Sequence, residues 1–342
     1  MPAETNGESK TNEAPAEESL RTVLVALAAN LAVAAAKFAA GFAGQSSALL
    51  SEGAHSVADS FSEVMLYAAI KRGNRPADRE HPFGYGRDRF FYSLLAAVGI
   101  FVAGAGFSVI EGVQTIVGGA GHEGGDFLLK YAVLGASALL EGTSLVRSVI
   151  QLRGEARPRD RTVFDHWRKS VDPTVKTVAV EDSAALVGLA LAFGGVAAHQ
   201  ATGSPLPDAA ASLAIGVLLA AVAMILIRTD KDLLIGQAAQ PELRAAIREL
   251  IASQAEVTAV VDLLTEVLGP REMLVAARVD IDDDLNGGEV EEISTRMERD
   301  LHQAFPQVTQ VFLDATRAQA RTRDRDPGQG PSAGGSPDGE GR

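Results

Sequence analysis

The sequence of 342 residues contains no cysteine. A chain without cysteine forms no disulfide and offers no thiolate, which excludes disulfide redox chemistry and iron–sulfur clusters. Histidine is scarce as well, with six residues in the whole chain, and no His-Glu-x-x-His pattern is present. Any metal ion must therefore be held by histidine, aspartate and glutamate, and the common helical motif of metalloproteases is excluded.

A basic surplus is also missing from the segments expected to be soluble. Residues 241–316 hold six arginines against sixteen acids, and residues 1–19 hold one lysine against five glutamates. Residues 20–240 are close to neutral, so the net charge of −13 belongs to the soluble segments. Because nucleic acids and anionic membrane surfaces require a basic partner, we expect no nucleic-acid partner.

Apolar runs, in contrast, are abundant. Six segments reach the length of ~20 residues that a bilayer core requires, at about 20–43, 47–70, 90–117, 127–152, 174–198 and 206–228. The second and fourth connections between them carry six Lys or Arg residues each, whereas the first, third and fifth carry none. The positive-inside bias therefore predicts an integral membrane protein with both termini in the cytoplasm, and we place it in the cell (inner) membrane. The acidic start does not have the composition of a transit peptide or secretory signal.

The chain divides into four predicted parts. Residues 1–19 and 317–342 are polar and poor in apolar residues, which predicts disordered tails. Residues 20–236 form a domain of six transmembrane helices. Residues 237–316 show the order helix, strand, strand, helix, strand, which predicts a small α+β domain with a ferredoxin-like arrangement.

The second apolar segment carries Glu52, His55, Asp59 and Glu63 within one narrow stripe of a helix. Ionisable groups at mid-membrane cost roughly 2.5–3.5 kcal/mol each on insertion scales and need a partner or a purpose. The fifth segment adds Glu181 and Asp182 at a similar depth. A shared cation explains both sets of acids, since zinc accepts imidazole and carboxylate ligands. The alternative is an interhelical hydrogen-bond cluster without a metal.

Three further polar features have a structural and a functional interpretation. Lys37 lies close enough to the outer end of its helix to reach the interface. Glu141, at the middle of the fourth segment, is either structural or involved in proton or metal access. The run Asp282 to Gly287 is spaced like the start of a calcium loop, but the twelfth position is Ile293, so a turn before a helix is favoured.

With these features, the chain resembles the cation diffusion facilitator family of proton-coupled exporters of zinc and other divalent metals. The resemblance rests on six predicted helices, His55-x-x-x-Asp59, the stretch His81-Pro82-Phe83-Gly84-Tyr85-Gly86-Arg87, an acid on the fifth helix and the C-terminal domain. The segments 81–106 and 172–188 look most like the branch that contains the mitochondrial zinc exporter.

The resemblance implies a metal site of His55, Asp59 and Asp182, completed by Glu181 or water. It also implies a homodimer, zinc as the transported substrate, protons as the coupling ion and no bound cofactor. The chain departs from the family pattern at Val178, four residues before Asp182, where most zinc-transporting members have a histidine. In the cytoplasmic loop, Tyr85 replaces a second histidine, which leaves a loop metal site of Asp78 and His81 incomplete.

Two other classes of function fit a buried His–Asp pair. One is a membrane-embedded enzyme with a catalytic zinc, which would need a further histidine at mid-membrane that the sequence lacks. The other is a passive cation channel. We therefore predict a divalent metal exporter, not an enzyme, that exchanges metal for protons.

Overall fold

The computed structural model describes residues 13–118, 126–156, 162 and 173–316, without the side chains of 13–26, 155–156 and 173–176. The membrane part contains α1 (Glu13–Gly44), α2 (Ser47–Gly73), α3 (Asp88–Gly118), α4 (Phe127–Ala156), α5 (Pro173–Thr202) and α6 (Leu206–Gly236). Helix α3 has a π-helical segment at Ile100–Gly106.

Helix α1 begins at Glu13, inside the segment that we predicted to be a disordered tail. The reason is local composition, because alanine and glutamate dominate residues 13–18 and both favour helix. Residues 1–12 and the predicted tail from 317 onward lie outside the described residues.

Five of these helices contain a stretch long and apolar enough to cross a membrane, within the part of the chain that the structure describes. The stretches are Leu27–Gly44, Asp88–Gly118, Phe127–Gly154, Thr177–Thr202 and Leu206–Ala252. Helix α2 is not among them, because its acids, His55 and its serines lower its mean hydropathy. The sixth predicted span, α2, is therefore less apolar than the other five.

Helix α2 is surrounded by other helices and contacts α1, α3, α5 and α6. Ten consecutive residues, Ser47 to Ser56, are buried, so this half of the helix is covered on every side. From Val57 onward, buried positions alternate with exposed ones. We call the Ser47 end the outer end, because the opposite end of α2 leads to the loop that contacts the C-terminal domain.

The outer end of α2 is anchored by Asp208, which lies in the first turn of α6 and is 1% exposed. Its carboxylate accepts hydrogen bonds from Ser46 Oγ at 2.9 Å, Ser47 Oγ at 3.2 Å and the backbone N–H of Ala48 at 3.3 Å. A carboxylate at a helix N-terminus satisfies free N–H groups and complements the helix dipole.

The C-terminal domain consists of α7 (Pro241–Ala252), β1 (Val257–Gly269), β2 (Glu272–Ile281), α8 (Gly287–Ala304) and β3 (Val308–Ala315), so the predicted element order is confirmed. The sheet order is β1-β2-β3, with β1 and β2 antiparallel and β2 and β3 parallel. Every second residue of β2 is buried, as expected for a strand with one face against helices. Before α8, Asn286 and Glu289 form a capping box, which confirms the turn at the Asp282 loop.

The two domains share one hydrophobic core. Phe90 from the start of α3 and Leu233 from the end of α6 are buried with Ile247, Val275 and Met297. Arg87 forms an ion pair with Glu266 of β1 across the same junction. The loop between α2 and α3 is therefore held against the β1–β2 hairpin.

Candidate metal site

The centre of the bundle holds the His–Asp pair predicted from the sequence. His55 is 1% exposed, and its Nδ1 atom lies 3.5 Å from Asp59 Oδ1. Among the described residues, neither nitrogen of His55 nor Asp59 Oδ1 has a hydrogen-bond partner. Buried polar atoms without partners are costly, and lone pairs left free in this way suit a cation ligand.

The two acids of α5 face different neighbours. Glu181 Oε1 accepts a hydrogen bond from Ser62 Oγ of α2 at 2.6 Å. Asp182 accepts hydrogen bonds from two serines of α4, Ser144 at 3.2 Å and Ser148 at 2.9 Å. Successive helical residues point about 100° apart, which explains this division. The structure therefore brings Glu181 to the α2 stripe and holds Asp182 on α4.

The predicted ligands are not assembled around one point in this conformation. Glu181 interacts electrostatically with Asp59, and His55 and Asp59 of α2 lie next to each other. No group of three or more His, Asp or Glu side chains is close enough to hold a metal ion within the described ranges. Ligation by a third side chain requires a movement of α5 or of the acids themselves.

Further acids surround the predicted ligands toward the Gly73 end of α2. Glu63 accepts a hydrogen bond from Asn30 Nδ2 of α1 at 2.6 Å. Glu141 of α4 is close enough to interact electrostatically with His55, Asp59 and Glu63. The inner half of the bundle is thus an acidic region to which α2, α4 and α5 contribute, and α1 adds Asn30 as a hydrogen-bond donor.

The sequence analysis missed the hydroxyl groups that hold these acids. Ser62 on α2 and the pair Ser144 and Ser148 on α4 donate to Glu181 and Asp182. Serines four residues apart on one face of an apolar helix are a usable signal, because a membrane helix has no water to hydrogen-bond them.

Lys37 lies in the interior and does not reach the interface, contrary to the expectation from its position. Its Nζ atom is 3.1 Å from Glu52 Oε2 and donates to Ser56 Oγ at 2.8 Å. Both charged side chains are 0% exposed. The reason is a partner on α2, which the sequence of α1 alone does not reveal.

The loop between α2 and α3 is organised by Asp78. Its carboxylate accepts hydrogen bonds from Tyr85 Oη at 2.7 Å and from the backbone N–H of His81 at 2.8 Å. These bonds, first that of Tyr85, lower the pKa of Asp78, and the same contact raises the pKa of Tyr85. The Tyr85 ring also lies 4.3 Å from the His81 ring and 4.3 Å from the Arg75 guanidinium. The Tyr85 hydroxyl therefore takes up the Oδ2 atom of Asp78, one of the two residues of the incomplete loop metal site.

Comparison with known proteins agrees with this architecture. Residues 23–235 match the model of the cation efflux transmembrane domain, and residues 239–314 match that of the cation efflux protein cytoplasmic domain. The boundary between the two matches lies at the end of α6.

Three relatives illustrate the range of the match. The chain is 33% identical to metal tolerance protein C4 of Arabidopsis thaliana over 77% of this chain and 57% of the relative. It is 32% identical to the human mitochondrial proton-coupled zinc antiporter SLC30A9 over 77% of this chain and 46% of the relative. It is 25% identical to the manganese efflux system protein MneP of Bacillus subtilis over 86% of this chain and 95% of the relative.

The chain spans about half the length of the first two relatives. These two matched regions, together covering most of the sequence, show that the chain belongs to the cation diffusion facilitator family of cation efflux transporters, in the branch of the SLC30A9 proteins.

Proposed function

We propose that this protein exports a divalent metal ion in exchange for protons, with zinc as the first candidate substrate, and that it is not an enzyme. The observation that carries the proposal is the buried pair His55 and Asp59, whose nitrogens and Oδ1 atom have no hydrogen-bond partner among the described residues. The proton-coupled zinc antiporters among the relatives support this substrate and this coupling.

The proposed ligands are His55 and Asp59 of α2 with an acid of α5. Glu181 faces α2 in this conformation and is the first candidate, whereas Asp182 must leave Ser144 and Ser148 before it can reach the ion. Water completes the coordination where only one α5 acid takes part. Metal binding requires neutral imidazole and ionised carboxylates, so protons compete with the ion for the same atoms.

Access to this site differs between the two ends of the bundle. The outer half of α2, Ser47 to Ser56, is buried throughout. The Asp59 side chain is 17% exposed, and Glu181 and Asp182 are half-buried. This contrast supports an inward-facing conformation, in which metal enters from the cytoplasm and the outer side is closed.

The same proposal includes the number of membrane spans, the topology and the assembly of the protein. We infer that α2 is the sixth transmembrane span, because it lies inside the bundle formed by the five apolar ones. The Lys and Arg residues of the second and fourth connections support a topology with both termini in the cytoplasm, and we propose the cell membrane as the location. The family model that matches residues 239–314 describes a dimerisation domain, which supports a homodimer. We propose that this domain is ferredoxin-like.

Manganese is a second candidate substrate. The proposed site is rich in carboxylates and has His55 as its one histidine among the described residues, and manganese favours oxygen ligands. The manganese efflux protein among the relatives favours the same ion.

The test is metal flux in proteoliposomes that contain the full chain. Zinc uptake driven by a pH gradient is expected, and it should stop when an ionophore collapses the gradient. Flux that continues without the gradient would indicate a channel and contradict the exchange mechanism. Parallel assays with manganese, in the wild type and in Asp59→Ala, decide between the two substrates and tie each flux to the site.

A further inference from the structure

Lys37 and Glu52 form an ion pair in the middle of the membrane domain that the mechanism above does not use. The two side chains are 0% exposed and 3.1 Å apart, on α1 and α2 respectively. Moving two charges out of water costs several kcal/mol per ion, and their attraction offsets this only when the geometry is good. A charged pair at this depth is therefore a candidate for a role in ion movement.

The ion pair uses only one oxygen of the carboxylate. Lys37 contacts Glu52 Oε2, whereas Glu52 Oε1 is buried without a hydrogen-bond partner in the described part of the chain. This oxygen faces α5 at Gly188, where an added Cβ would collide with it. Glu52 thus points a free acceptor toward α5, the helix that supplies the acids of the proposed metal site.

His55 lies three residues after Glu52 on the same face of α2. Both of its ring nitrogens are buried without partners among the described residues, and it interacts electrostatically with Glu52 and with Lys37. One imidazole therefore lies between two carboxylates, with Asp59 four residues toward the cytoplasm and Glu52 three residues toward the outer end. An ion that moves outward from Asp59 can keep His55 as a ligand while it exchanges one carboxylate for the other.

We propose that Glu52 and His55 form a second, outer station for the transported divalent cation, and that Lys37 is a tethered cation that occupies Glu52 when the ion is absent. This inference rests on the proposed function. The arriving ion displaces the ammonium from Glu52 toward Ser56, which already accepts a hydrogen bond from it at 2.8 Å. After release, Lys37 returns to Glu52 and neutralises it, so that the carboxylate does not recapture the ion.

Four variants of the full chain test this, with zinc alone as the probe. Lys37→Met removes the competing cation, Lys37→Arg keeps it, Glu52→Gln removes the outer carboxylate, and Lys37→Met/Glu52→Gln removes both charges together. Zinc affinity is measured by calorimetry on detergent-purified protein, and zinc flux is measured in proteoliposomes. Thermal unfolding reports whether each variant is folded.

Lys37→Met is expected to bind zinc about tenfold more tightly, since loss of a like charge in a low-dielectric site favours the ion. Its flux should fall, because nothing displaces the ion from Glu52. Lys37→Arg should retain the wild-type affinity. The double variant conserves the net charge and keeps the site at His55 and Asp59, so its zinc affinity should be near that of the wild type. Its zinc flux should nevertheless fall at least about tenfold, because the outer station is gone.

A pair with a purely structural role gives the opposite pattern. The double variant would then transport zinc at the wild-type rate, and Lys37→Met would lose stability without binding more tightly. Either result in a folded protein overturns the outer station, and the double variant decides alone if Lys37→Met does not fold. Asp59→Ala separates this outcome from a failure of the proposed function, because only the latter predicts that Asp59→Ala still transports zinc.

Discussion

Ser62 Oγ of α2 lies 2.6 Å from Glu181 Oε1 of α5 and joins the two helices that carry the proposed metal ligands. The bond fixes which of two adjacent acids faces the α2 stripe. Its neighbour Asp182 is held by Ser144 and Ser148 of α4 instead. Exchanging these partners would require a rotation of α5 by about 100°, so the serines set the starting position of the two acids before an ion arrives.

We therefore expect Glu181→Gln to weaken zinc binding by tenfold or more, about 1.4 kcal/mol or above. The substitution keeps the size and the oxygen that accepts from Ser62, but it removes the negative charge opposite Asp59. Calorimetry on the purified protein gives the affinity. The control is Ser62→Ala, which removes only the hydrogen bond and should change affinity by less than about 1 kcal/mol. Equal losses in both variants would show that the charge of Glu181 does not act on the ion.

Gly188 and Gly194 offer a matched pair of substitutions on α5. Alanine at Gly188 would place its methyl group against Glu52 Oε1, whereas alanine at Gly194 has no atom within 4 Å. Gly188→Ala should lower the unfolding temperature and zinc flux, since the carboxylate must shift. Gly194→Ala should be neutral or stabilising by up to about 1 kcal/mol, as for glycine in a helix interior. Identical unfolding temperatures for the two variants would mean that α5 does not approach Glu52 this closely.

Asp208 should be essential for the stability of the outer end of the bundle. Asp208→Ala leaves two serine hydroxyls and the N–H of Ala48 without their buried acceptor, so a loss of about 2–4 kcal/mol is expected. Asp126 caps α4 in the same way by accepting from Leu128 N at 2.9 Å, but it is exposed. Asp126→Ala should therefore cost only about 1 kcal/mol. Unfolding in mixed micelles compares the two, and a loss for Asp208→Ala no larger than that for Asp126→Ala would contradict the anchoring role.

The loop between α2 and α3 should have a measurable pH dependence. The Tyr85 hydroxyl and the backbone N–H groups of His81 and Glu80 lower the pKa of Asp78 below its ordinary value. Because the pKa is lower in the folded loop, the stabilisation is present above the unfolded pKa and is lost as the pH falls through the folded pKa. Tyr85→Phe should raise the pKa of Asp78, as followed by NMR of its carboxyl carbon. Tyr92→Phe serves as the control and should leave this titration unchanged, since Tyr92 lies against Arg72.

Much of the architecture could be predicted because it depends on local patterns. The spacing of His55 and Asp59 in an apolar segment is a property of one helix, and the alternation in β2 is a property of one strand. The partner of Lys37 and the different orientations of Glu181 and Asp182 depend on how helices rotate against each other. No single segment contains that information, so the sequence predicted Asp182 as the α5 ligand, with Glu181 or water beside it, and did not show that Glu181 is the acid that faces α2.

Phe90 and Leu233 are also a practical guide to where the molecule can be divided. Both side chains belong to helices of the membrane domain, yet they complete the hydrophobic centre of the C-terminal domain. A fragment that starts at residue 237 would leave both behind and expose the apolar surface that they cover. Chimeras that exchange the C-terminal domain between relatives should therefore carry the cognate residues of both helices with it, or replace all of these contact positions together.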